Sequence, residues 1–277
     1  LGKAGRWDTA GFFRRLWREV RRDRPHILHG YMGGANEICL ALGKLTGARV
    51  IWGVRVSDLD FSQYIWSVGA LFRAGAFLSR QPDLIIANSH AGRDTHVASG
   101  YDPSRFIVIP NGIDTERFQR DDAAGCRWRE ETGYAPDDFV IGCPARLDPM
   151  KDHPALLEAL RLVTEAGHDV HVACLGSGPE QYRDELVALA GSLGVSERVR
   201  WLPATPDPRA FYSGVDLLTS ASAFGEGFPN VLGEAMACEV PCIATMAGDS
   251  AVVIGDAGVA VPVRDAAALA RGWQQLL

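Results

Sequence analysis

The feature that most constrains the fold of this chain is a regular alternation of short apolar runs with longer helix-like runs. Residues 50–54 and 139–143 contain only apolar side chains and glycine, whereas a strand with one solvated face would alternate apolar and polar residues. Continuous apolar strands separated by helices are typical of parallel sheets that helices cover on both faces. The sequence therefore predicts an α/β fold built from Rossmann-like, doubly wound sheets.

The alternation lapses once, between residues 111 and 136, and this interruption divides the chain. A chain of 277 residues is long enough for two modest domains. We place the boundary at about residue 112, which gives an N-terminal domain over 1–112 and a C-terminal domain over 113–277. Such sheets bind ligands outside the carboxyl ends of their strands, so two facing domains would hold a ligand in the cleft between them.

Both ends of the sequence suggest a fragment. The chain begins with Leu1 rather than Met, and no signal segment follows. Residues 265–277 predict a helix that stops without a C-cap. We therefore expect the first domain to be incomplete and the last helices of the second domain to be missing.

Composition and charge exclude several classes of protein. The formal net charge is −6, which argues against a protein that coats nucleic acid. No apolar stretch reaches the roughly 18 residues of a membrane span, and the nearest one, residues 64–78, contains Arg73. The six cysteines include no Cys-x-x-Cys pair and no zinc-type spacing with histidine, which favours free thiols in a reducing cytosol. We expect a cytoplasmic protein.

The most informative segment covers residues 222–237, Ser-Ala-Phe-Gly-Glu-Gly-Phe-Pro-Asn-Val-Leu-Gly-Glu-Ala-Met-Ala. It follows a predicted strand, and Pro229 is a favoured first residue of a helix. Free N–H groups at a helix start, together with the helix dipole, form a site for an anion. Glu226 lies before the helix and Glu234 on it, and a carboxylate can accept two hydrogen bonds from the vicinal diol of a sugar. The two glutamates could hold two sugar rings on either side of a phosphate, whereas a lone glutamate would more simply complement a surface helix.

A second segment, residues 142–153, supplies two cations. Arg146 comes just after a predicted strand and Lys151 just before the next helix. Arg can bind a diphosphate through two hydrogen bonds, and Lys can neutralise it as a point charge. Because negative charge grows on a departing phosphate, cations there stabilise the transition state more than the ground state. The alternative is a pair of exposed loop charges.

Taken together, these segments resemble the family 4 retaining glycosyltransferases of GT-B fold. Residues 140–153 resemble the family's Arg-then-Lys motif, and residues 224–237 resemble its two glutamates separated by seven residues. Residues 108–114 resemble its crossover between domains, and residues 175–180 resemble its Gly-rich turn. The motifs occur in the family's order over nearly the whole chain. Within the family, the chain is most similar to enzymes that build bacterial surface polysaccharide or lipopolysaccharide.

The resemblance implies a role for each matching residue. Arg146 and Lys151 would contact the diphosphate of a nucleotide-diphosphate sugar. Glu234 would bind the nucleotide ribose, and Glu226 would contact hydroxyls of the donated sugar. Backbone N–H groups would hold the diphosphate or the sugar around Gly227, Phe228 and Asn230. The family uses no metal ion and no cofactor, so the nucleotide sugar would be a substrate.

The sequence departs from the family pattern in two places. Members usually open with a strand and a Gly-rich loop that reaches the donor phosphates, and nothing before residue 11 supplies it. Many members place a His after the strand that matches residues 49–54, where this chain has Arg55. Arg55 is a candidate for binding a phosphate or the acceptor, with a structural salt bridge as the alternative. His29, at a strand end in the first domain, is a second acceptor-side candidate, with a hydrogen-bonded structural role as its alternative.

The first 24 residues are strongly basic, with eight Lys and Arg side chains against three acidic ones. Several apolar residues, among them Phe13 and Val20, share the predicted helix with the arginines. A basic amphipathic helix can lie on an anionic membrane, which would suit an enzyme with a lipid-anchored acceptor. A helix packed on its own sheet with solvated charges is the alternative.

These observations predict a hexosyltransferase that keeps the donor's anomeric configuration and passes the sugar to a hydroxyl of a saccharide or lipid-linked acceptor. Three other interpretations stay open. One is an inverting GT-B enzyme or a sugar-nucleotide epimerase of the same fold. A second is a fragment that binds nucleotide sugar without turnover. The third is a glycogen-type phosphorylase, for which we find no pyridoxal-binding lysine.

Overall fold

The structure, a computed structural model, describes residues 8–57 and 66–277. The chain divides into two compact units between Pro110 and Asn111, next to the predicted boundary at residue 112. All six cysteines are free thiols. Among the helices of the described residues, none is long and apolar enough to cross a membrane.

In the described part of the first unit, four parallel strands form a sheet in the order β1-β2-β3-β4. The strands are β1 (Ile27–Tyr31), β2 (Arg49–Val54), β3 (Leu84–Ala87) and β4 (Phe106–Val108). The helices are α1 (Thr9–Asp23), α2 (Ala35–Thr46), α3 (Trp66–Leu78) and α4 (His90–Ala98). The apolar pattern of the sequence predicts a longer helix over 61–80, and the first residues of that range lie outside the described ones. Because the strands are added in chain order, right-handed crossovers place α2, α3 and α4 on one face of the sheet.

That face carries the core of the first unit. Trp52 and Ile85 are fully buried there, and Phe72 of α3 packs against the same cluster. Successive side chains of a strand point to opposite faces. On the other face, Ile27 and Ile107 are 53% and 41% exposed. The buried half of the first sheet is thus the half that faces α2 to α4.

The second unit, which is described throughout, has six parallel strands in the order β10-β9-β8-β5-β6-β7. The strands are β5 (Phe139–Pro144), β6 (Val170–Leu175), β7 (Val199–Leu202), β8 (Leu217–Ser220), β9 (Cys242–Thr245) and β10 (Gly258–Val261). The helices are α5 (Asp122–Thr132), α6 (His153–Glu165), α7 (Glu180–Ser192), α8 (Arg209–Gly214), α9 (Asn230–Ala237), α10 (Ser250–Ile254) and α11 (Ala266–Gln274). The chain starts in the middle of this sheet, moves outward through β6 and β7, and returns to the other side of β5 with β8.

Helices cover the second sheet on both faces, as the continuous apolar strands predicted. Val140 belongs to the buried cluster that contains Phe211 of α8 and Leu232 of α9. Its neighbour Ile141 belongs to the cluster that contains Leu156 of α6. Since the two side chains point to opposite faces of β5, both faces carry a core. The second sheet is therefore doubly wound.

The charged stretch between the domains forms α5, whose ends are set by local chemistry. The Asp121 carboxylate accepts a hydrogen bond from the Ala124 N–H at 2.9 Å, which caps the first turn. The helix ends at Gly133, whose φ of 75° is the left-handed conformation that favours glycine. The sequence patterns did not predict α10 or β10. These elements have five and four residues, too few to show a hydrophobic period.

Candidate functional site

The candidate site of the second unit lies where its strand order reverses. Strands β5 and β8 are neighbours, but the chain leaves them in opposite directions across the sheet. In open α/β sheets, the carboxyl ends of such strands form the crevice that binds ligands. The loop after β5 carries Arg146 and Lys151, and the loop after β8 carries Glu226. The topology therefore places the two predicted segments side by side.

A close backbone contact joins these two loops. The Ala223 N–H donates a hydrogen bond to the carbonyl oxygen of Met150 at 2.8 Å. Gly225 has a φ of +75°, and a Cβ atom built on it would lie 2.5 Å from the Met150 sulfur. Any larger residue at position 225 would be strained in its backbone, and the Met150 side chain would have to move to admit it. The Gly-rich sequence around Glu226 is thus explained by packing within the site.

Lys151 and Glu226, both predicted site residues, are in direct contact. Lys151 ends a short 3-10 turn, Pro149–Lys151, which the Asp148 carboxylate caps by accepting the Met150 N–H at 2.9 Å. The Lys151 Nζ donates to Glu226 Oε1, and the two side chains are 18% and 10% exposed. The Ser222 hydroxyl donates to the same Glu226 oxygen at 2.6 Å. The ammonium has three N–H donors, so it can keep this contact and still donate to a ligand.

The loop after β9 supports Glu226 from the other side, and sequence analysis did not identify it. The Thr245 hydroxyl donates to the Ser222 carbonyl at 2.6 Å, and the Asp249 N–H donates to the Gly227 carbonyl at 3.0 Å. Gly248 has a φ of +58°, and a Cβ there would lie 2.5 Å from the Glu226 carbonyl oxygen. The backbone around Glu226 is therefore held on both sides by neighbouring strands' loops.

Arg146 lies on a loop that the Gly-rich turn after β6 holds in place. The Ala145 N–H donates to the Leu175 carbonyl at 3.0 Å, and the Leu147 N–H donates to the Ser177 carbonyl at 3.1 Å. A Cβ on Gly176 would lie 1.9 Å from the Ala145 carbonyl oxygen, so only glycine permits this approach. The Arg146 side chain is exposed. Within the described residues, Arg146 forms no ion pair, so its charge is not consumed by a carboxylate of the fold.

A cavity of about 310 Å³ adjoins this loop. It lies at the carboxyl ends of β6 and β7, and its walls include Leu147, Ser177, Arg183, Trp201 and Pro203. The wall thus combines an aromatic ring with backbone and polar groups. Such a lining suits a flat heterocycle, which can stack on the ring and hydrogen-bond at its edge.

Glu234, the second predicted glutamate, is held by a tyrosine. Helix α9 begins at Asn230 without a side-chain cap, and Glu234 follows on its second turn. The Tyr212 hydroxyl of α8 donates to Glu234 Oε2 at 2.7 Å. Burial, and then the hydrogen bond to Glu234, raise the pKa of Tyr212 far above its usual range, so the hydroxyl stays protonated and remains a donor. No motif in the sequence identified Tyr212.

The three backbone positions predicted to bind the donor lie just before and at the start of α9. Gly227 is buried, Phe228 is half-buried and Asn230 is exposed. The Asn230 side-chain oxygen accepts a hydrogen bond from the Asn111 side chain at 2.8 Å, which ties α9 to the segment that opens the second unit. This contact involves the Asn230 side chain. The role of its backbone N–H in binding the donor stays a prediction.

His153 sits next to Lys151 and is electrically neutral. It is fully buried at the first turn of α6. Burial, and then the nearby Lys151 charge, lower its pKa to about 4. Among the residues that the structure describes, neither ring nitrogen has a hydrogen-bond partner. At neutral pH, therefore, Lys151 carries a positive charge beside Glu226 and His153 does not.

In the first unit, the two acceptor-side candidates meet on one tyrosine. The His29 ring stacks on Tyr31, with ring centroids 4.3 Å apart, and the Arg55 guanidinium lies 5.8 Å from the centroid of the same ring. Burial lowers the pKa of His29. Tyr31 is 52% exposed at the carboxyl end of β1. It was not predicted, although its spacing of two residues from His29 places both on one face of the strand.

The described residues neither supply a metal site nor test the metal independence that the resemblance implies. Over the part of the chain that the structure describes, no group of three or more His, Cys, Asp or Glu residues is placed to hold a metal ion. The sequence does contain one Asp-x-Asp string, Asp58 to Asp60, and this string lies outside the described residues. Metal independence is therefore still a prediction.

Two family models match the chain, one for each unit. Residues 138–277 match the model described as "Glycosyl transferases group 1". Residues 1–117 match the model described as "Glycosyltransferase Family 4". The first of these matches alone covers half of the chain, and it contains the loops with Arg146, Lys151 and Glu226.

Curated relatives are identical to this chain at about a third of the aligned positions. The D-inositol 3-phosphate glycosyltransferase of Nocardia farcinica is 32% identical over 193 residues, which cover 66% of this chain and 42% of that protein. The GDP-mannose-dependent alpha-(1-6)-phosphatidylinositol monomannoside mannosyltransferase of Mycolicibacterium smegmatis is 34% identical over 262 residues, which cover 89% of this chain and 66% of that protein. The chain thus spans about two fifths of the first relative and just under two thirds of the second.

Solved structures share the arrangement of strands and helices. HepE of Anabaena, solved in complex with UDP and glucose, matches with a TM-score of 0.84 and 22% identity, over 97% of this chain and 73% of that one. The lipopolysaccharide outer core galactosyltransferase WaaB matches with a TM-score of 0.68 and 16% identity, over 96% of this chain and 70% of that one. At these identities the likeness concerns the fold alone.

Proposed function

The chain belongs to glycosyltransferase family 4 and has the GT-B fold, and on this premise we propose that it transfers a hexosyl group from a nucleotide-diphosphate sugar to an acceptor hydroxyl with retention of configuration. The donor binds to the second unit and the acceptor to the first. The observation that carries the proposal is the contact between Lys151 and Glu226 at the point where the strand order reverses. Lys151 supplies a cation that can bind phosphate, and Glu226 supplies a carboxylate that can bind sugar hydroxyls.

In this proposal the donor diphosphate lies against Lys151, Arg146 and the first N–H groups of α9. Lys151 keeps one hydrogen bond to Glu226 and directs its others at phosphate oxygens. Among the described residues no side chain caps helix α9, which leaves the amides before Leu232 and the helix dipole available to an anion. Glu226 accepts hydrogen bonds from the hydroxyls of the transferred sugar, and Glu234 accepts them from the ribose. The base occupies the cavity beside Trp201, one strand farther along the sheet.

The chemistry that this arrangement supports is departure of a diphosphate. Negative charge rises on the leaving oxygen as the glycosidic bond breaks, and the Lys151 ammonium stabilises it in a partly buried site where water screens it poorly. Glu226 is bonded to Lys151 and Ser222, which favours a hydrogen-bonding role over attack on the sugar. We therefore propose a same-face displacement in which a donor phosphate oxygen takes the acceptor proton, without a metal ion.

A saccharide or lipid-linked acceptor is the second part of the proposal. The two relatives are named for an inositol phosphate and a phosphatidylinositol monomannoside, and both compounds carry several hydroxyls. His29, Tyr31 and Arg55 are the residues of the first unit to which we assign acceptor contacts. We propose that the enzyme acts in the assembly of a bacterial surface polysaccharide or lipopolysaccharide. It would act at the inner face of the plasma membrane. The arginines of α1, together with Phe13, which is 43% exposed, would provide the membrane contact.

Tyr212→Phe is expected to weaken donor binding about tenfold while changing kcat little. The change removes a hydrogen bond to a charged acceptor, worth about 1.5–3 kcal/mol, and we take the lower end because Glu234 is only half-buried. Ribose contacts are the same in the ground and transition states, so their loss raises KM rather than lowering kcat. Calorimetric titration with the donor measures this. Tyr182→Phe, which removes a hydroxyl that has no hydrogen-bond partner in the described residues, should bind the donor normally; equal weakening in both variants would contradict the role of Tyr212.

The proposal as a whole is tested by a thermal-shift screen of UDP-, GDP- and ADP-sugars followed by product analysis. A donor at a hundred times its Kd stabilises the folded state by about 2.7 kcal/mol, so one base should raise Tm clearly above the others. NMR of the product with an acceptor then reports the configuration of the new bond, which should match the donor's. No shift with any donor would overturn the proposal.

The same two measurements separate the alternatives. A shift without transfer or hydrolysis identifies a nucleotide-sugar-binding fragment. An inverted product identifies an inverting GT-B enzyme, and a donor converted to its epimer without any acceptor identifies an epimerase. The binding-fragment alternative has support in the coverage, because the chain spans only part of the enzymes it matches.

A further inference from the structure

A second cavity, of about 310 Å³, lies in the first unit, and we call it the first-unit cavity. It sits at the carboxyl end of β2, between α2 and α3. Val54, Val68 and Phe72 form its walls, and Arg55 is the acceptor-side candidate that lines it. Met32 and Leu71, each 38% exposed, also line the cavity. The cavity is therefore open to solvent through an apolar edge beside a residue already assigned to the acceptor.

Most of the polar groups around this cavity are engaged by the protein itself. Asn36 exchanges two hydrogen bonds with the backbone of Gly53, at 3.2 and 3.3 Å. The Glu37 carboxylate accepts the Gly34 N–H, which caps α2. A polar ligand in the cavity would have to compete with these existing hydrogen bonds for its own partners.

The inner wall of the cavity is an aromatic cluster, and its polar groups also form hydrogen bonds within the protein. The Tyr101 hydroxyl donates to the Phe72 carbonyl at 3.3 Å, and the Nδ1 of His96 pairs with the Gly92 carbonyl at 2.7 Å. The three rings pack with centroids 4.8–5.3 Å apart. Burial lowers the pKa of His96, so its ring is neutral. The wall therefore offers ring surface to an occupant, with the Glu37 carboxylate beside the Tyr101 hydroxyl at its edge.

We propose that the first-unit cavity binds the apolar segment of an amphiphilic acceptor, a straight alkyl chain. This inference rests on the proposed function, since it names the chemistry of the acceptor. Apolar cavities of about 150 Å³ hold a benzene molecule, so a cavity of twice that size accepts roughly ten carbon atoms. Burying the chain there removes apolar surface from water without disturbing the hydrogen bonds of Asn36, Glu37 or Tyr101.

The test is a titration of the protein with n-alkyl glucosides from methyl to dodecyl, each below its micelle concentration, with no donor present. Affinity is expected to rise about three- to fourfold for each added methylene, and to level off at roughly ten carbons, where the chain outgrows the cavity. An affinity that does not depend on chain length would overturn the proposal. So would a rise that continues without a plateau, because that is the behaviour of a surface that merely adsorbs detergent.

Three substitutions locate the binding. Leu71→Trp fills the first-unit cavity and should weaken binding of the octyl glucoside at least tenfold. Phe77→Trp places the same side chain on an 81% exposed position of the same helix and should have no effect. Leu45→Trp alters another cleft, between the ends of α1 and α2, and should also have no effect. Weakening in Leu45→Trp alone would place the alkyl chain there and overturn the assignment.

A second cavity-filling variant and a donor-binding measurement cover the cases in which Leu71→Trp is unstable or the protein is inactive. If Leu71→Trp melts too low to be assayed, Val68→Phe fills the cavity from the start of the same helix and should weaken octyl binding in the same way. Donor binding by the second unit is measured in parallel. Wild-type protein that binds the donor but no alkyl chain refutes this inference alone, whereas failure of the wild type to bind any donor refutes the proposed function.

Discussion

Lys151→Ala is expected to lower the turnover of sugar transfer by about 10²-fold or more, as loss of one charge-stabilising donor does. The Lys151 side chain is only 18% exposed, and its ammonium donates to the carboxylate of Glu226. Its charge therefore acts on the departing diphosphate in a medium that screens it less than water does. Because the interaction grows as the bond breaks, kcat should fall more than KM rises. Steady-state kinetics with the donor identified by the thermal-shift screen give both constants.

Two controls separate lost chemistry from lost structure. Lys44→Ala removes an exposed lysine of α2 that contacts Gln81, and its turnover should match the wild type. Circular dichroism and Tm should show Lys151→Ala folded, because Glu226 keeps the hydrogen bond from Ser222 at 2.6 Å. Unchanged turnover in a folded Lys151→Ala protein would remove Lys151 from the mechanism, and with it the charge on which the proposed function depends.

The meeting of Lys151 and Glu226 could be predicted from the sequence although 75 residues separate them. Each follows a predicted strand of an alternating strand–helix pattern, and parallel strands present their carboxyl ends at one edge. The reversal of strand order then brings the two loops together. Apolar runs are a strong signal because a strand buried on both faces admits no polar residue at most positions. The fold of the second unit is predictable to the same extent and for the same reason.

The supporting residues could not be predicted, because their roles depend on packing between elements that have no sequence relation. Tyr212 reaches Glu234 only because α8 and α9 lie on the same face of the sheet. Gly248 matters because a Cβ there would meet the Glu226 carbonyl, and the sequence around it shows only one glycine in a loop. Tyr31 is similar, since its contact with Arg55 depends on the register between β1 and β2. Short elements fail for a different reason: α10 and β10 have five and four residues, too few to show a repeated hydrophobic period.

Glu226→Ala is expected to damage both activity and stability, and the two effects should respond differently to a second substitution. Removing the carboxylate leaves the Lys151 ammonium in a site where it is 18% exposed and without its charge partner. Breaking a fully buried pair costs about 3–5 kcal/mol, so we expect about 2–3 kcal/mol here, because water still reaches Lys151. Turnover should also fall about 10²-fold, since the transferred sugar loses its acceptor for hydrogen bonds. Urea denaturation and kinetics measure the two quantities.

The double variant Lys151→Ala/Glu226→Ala decides whether the two side chains act as a unit. Without the unpaired ammonium, it should be more stable than Glu226→Ala alone, which gives a coupling free energy of about 1–3 kcal/mol in the double-mutant cycle. Its turnover should be close to that of the poorer single variant rather than the product of both losses, because residues that serve one step are not additive. Glu239→Ala, an exposed glutamate just after α9, should change neither quantity. Strictly additive losses in stability and turnover would mean that Lys151 and Glu226 act independently although they are in contact. The proposed donor site would then depend on Arg146 and the amides of α9 instead of on this pair.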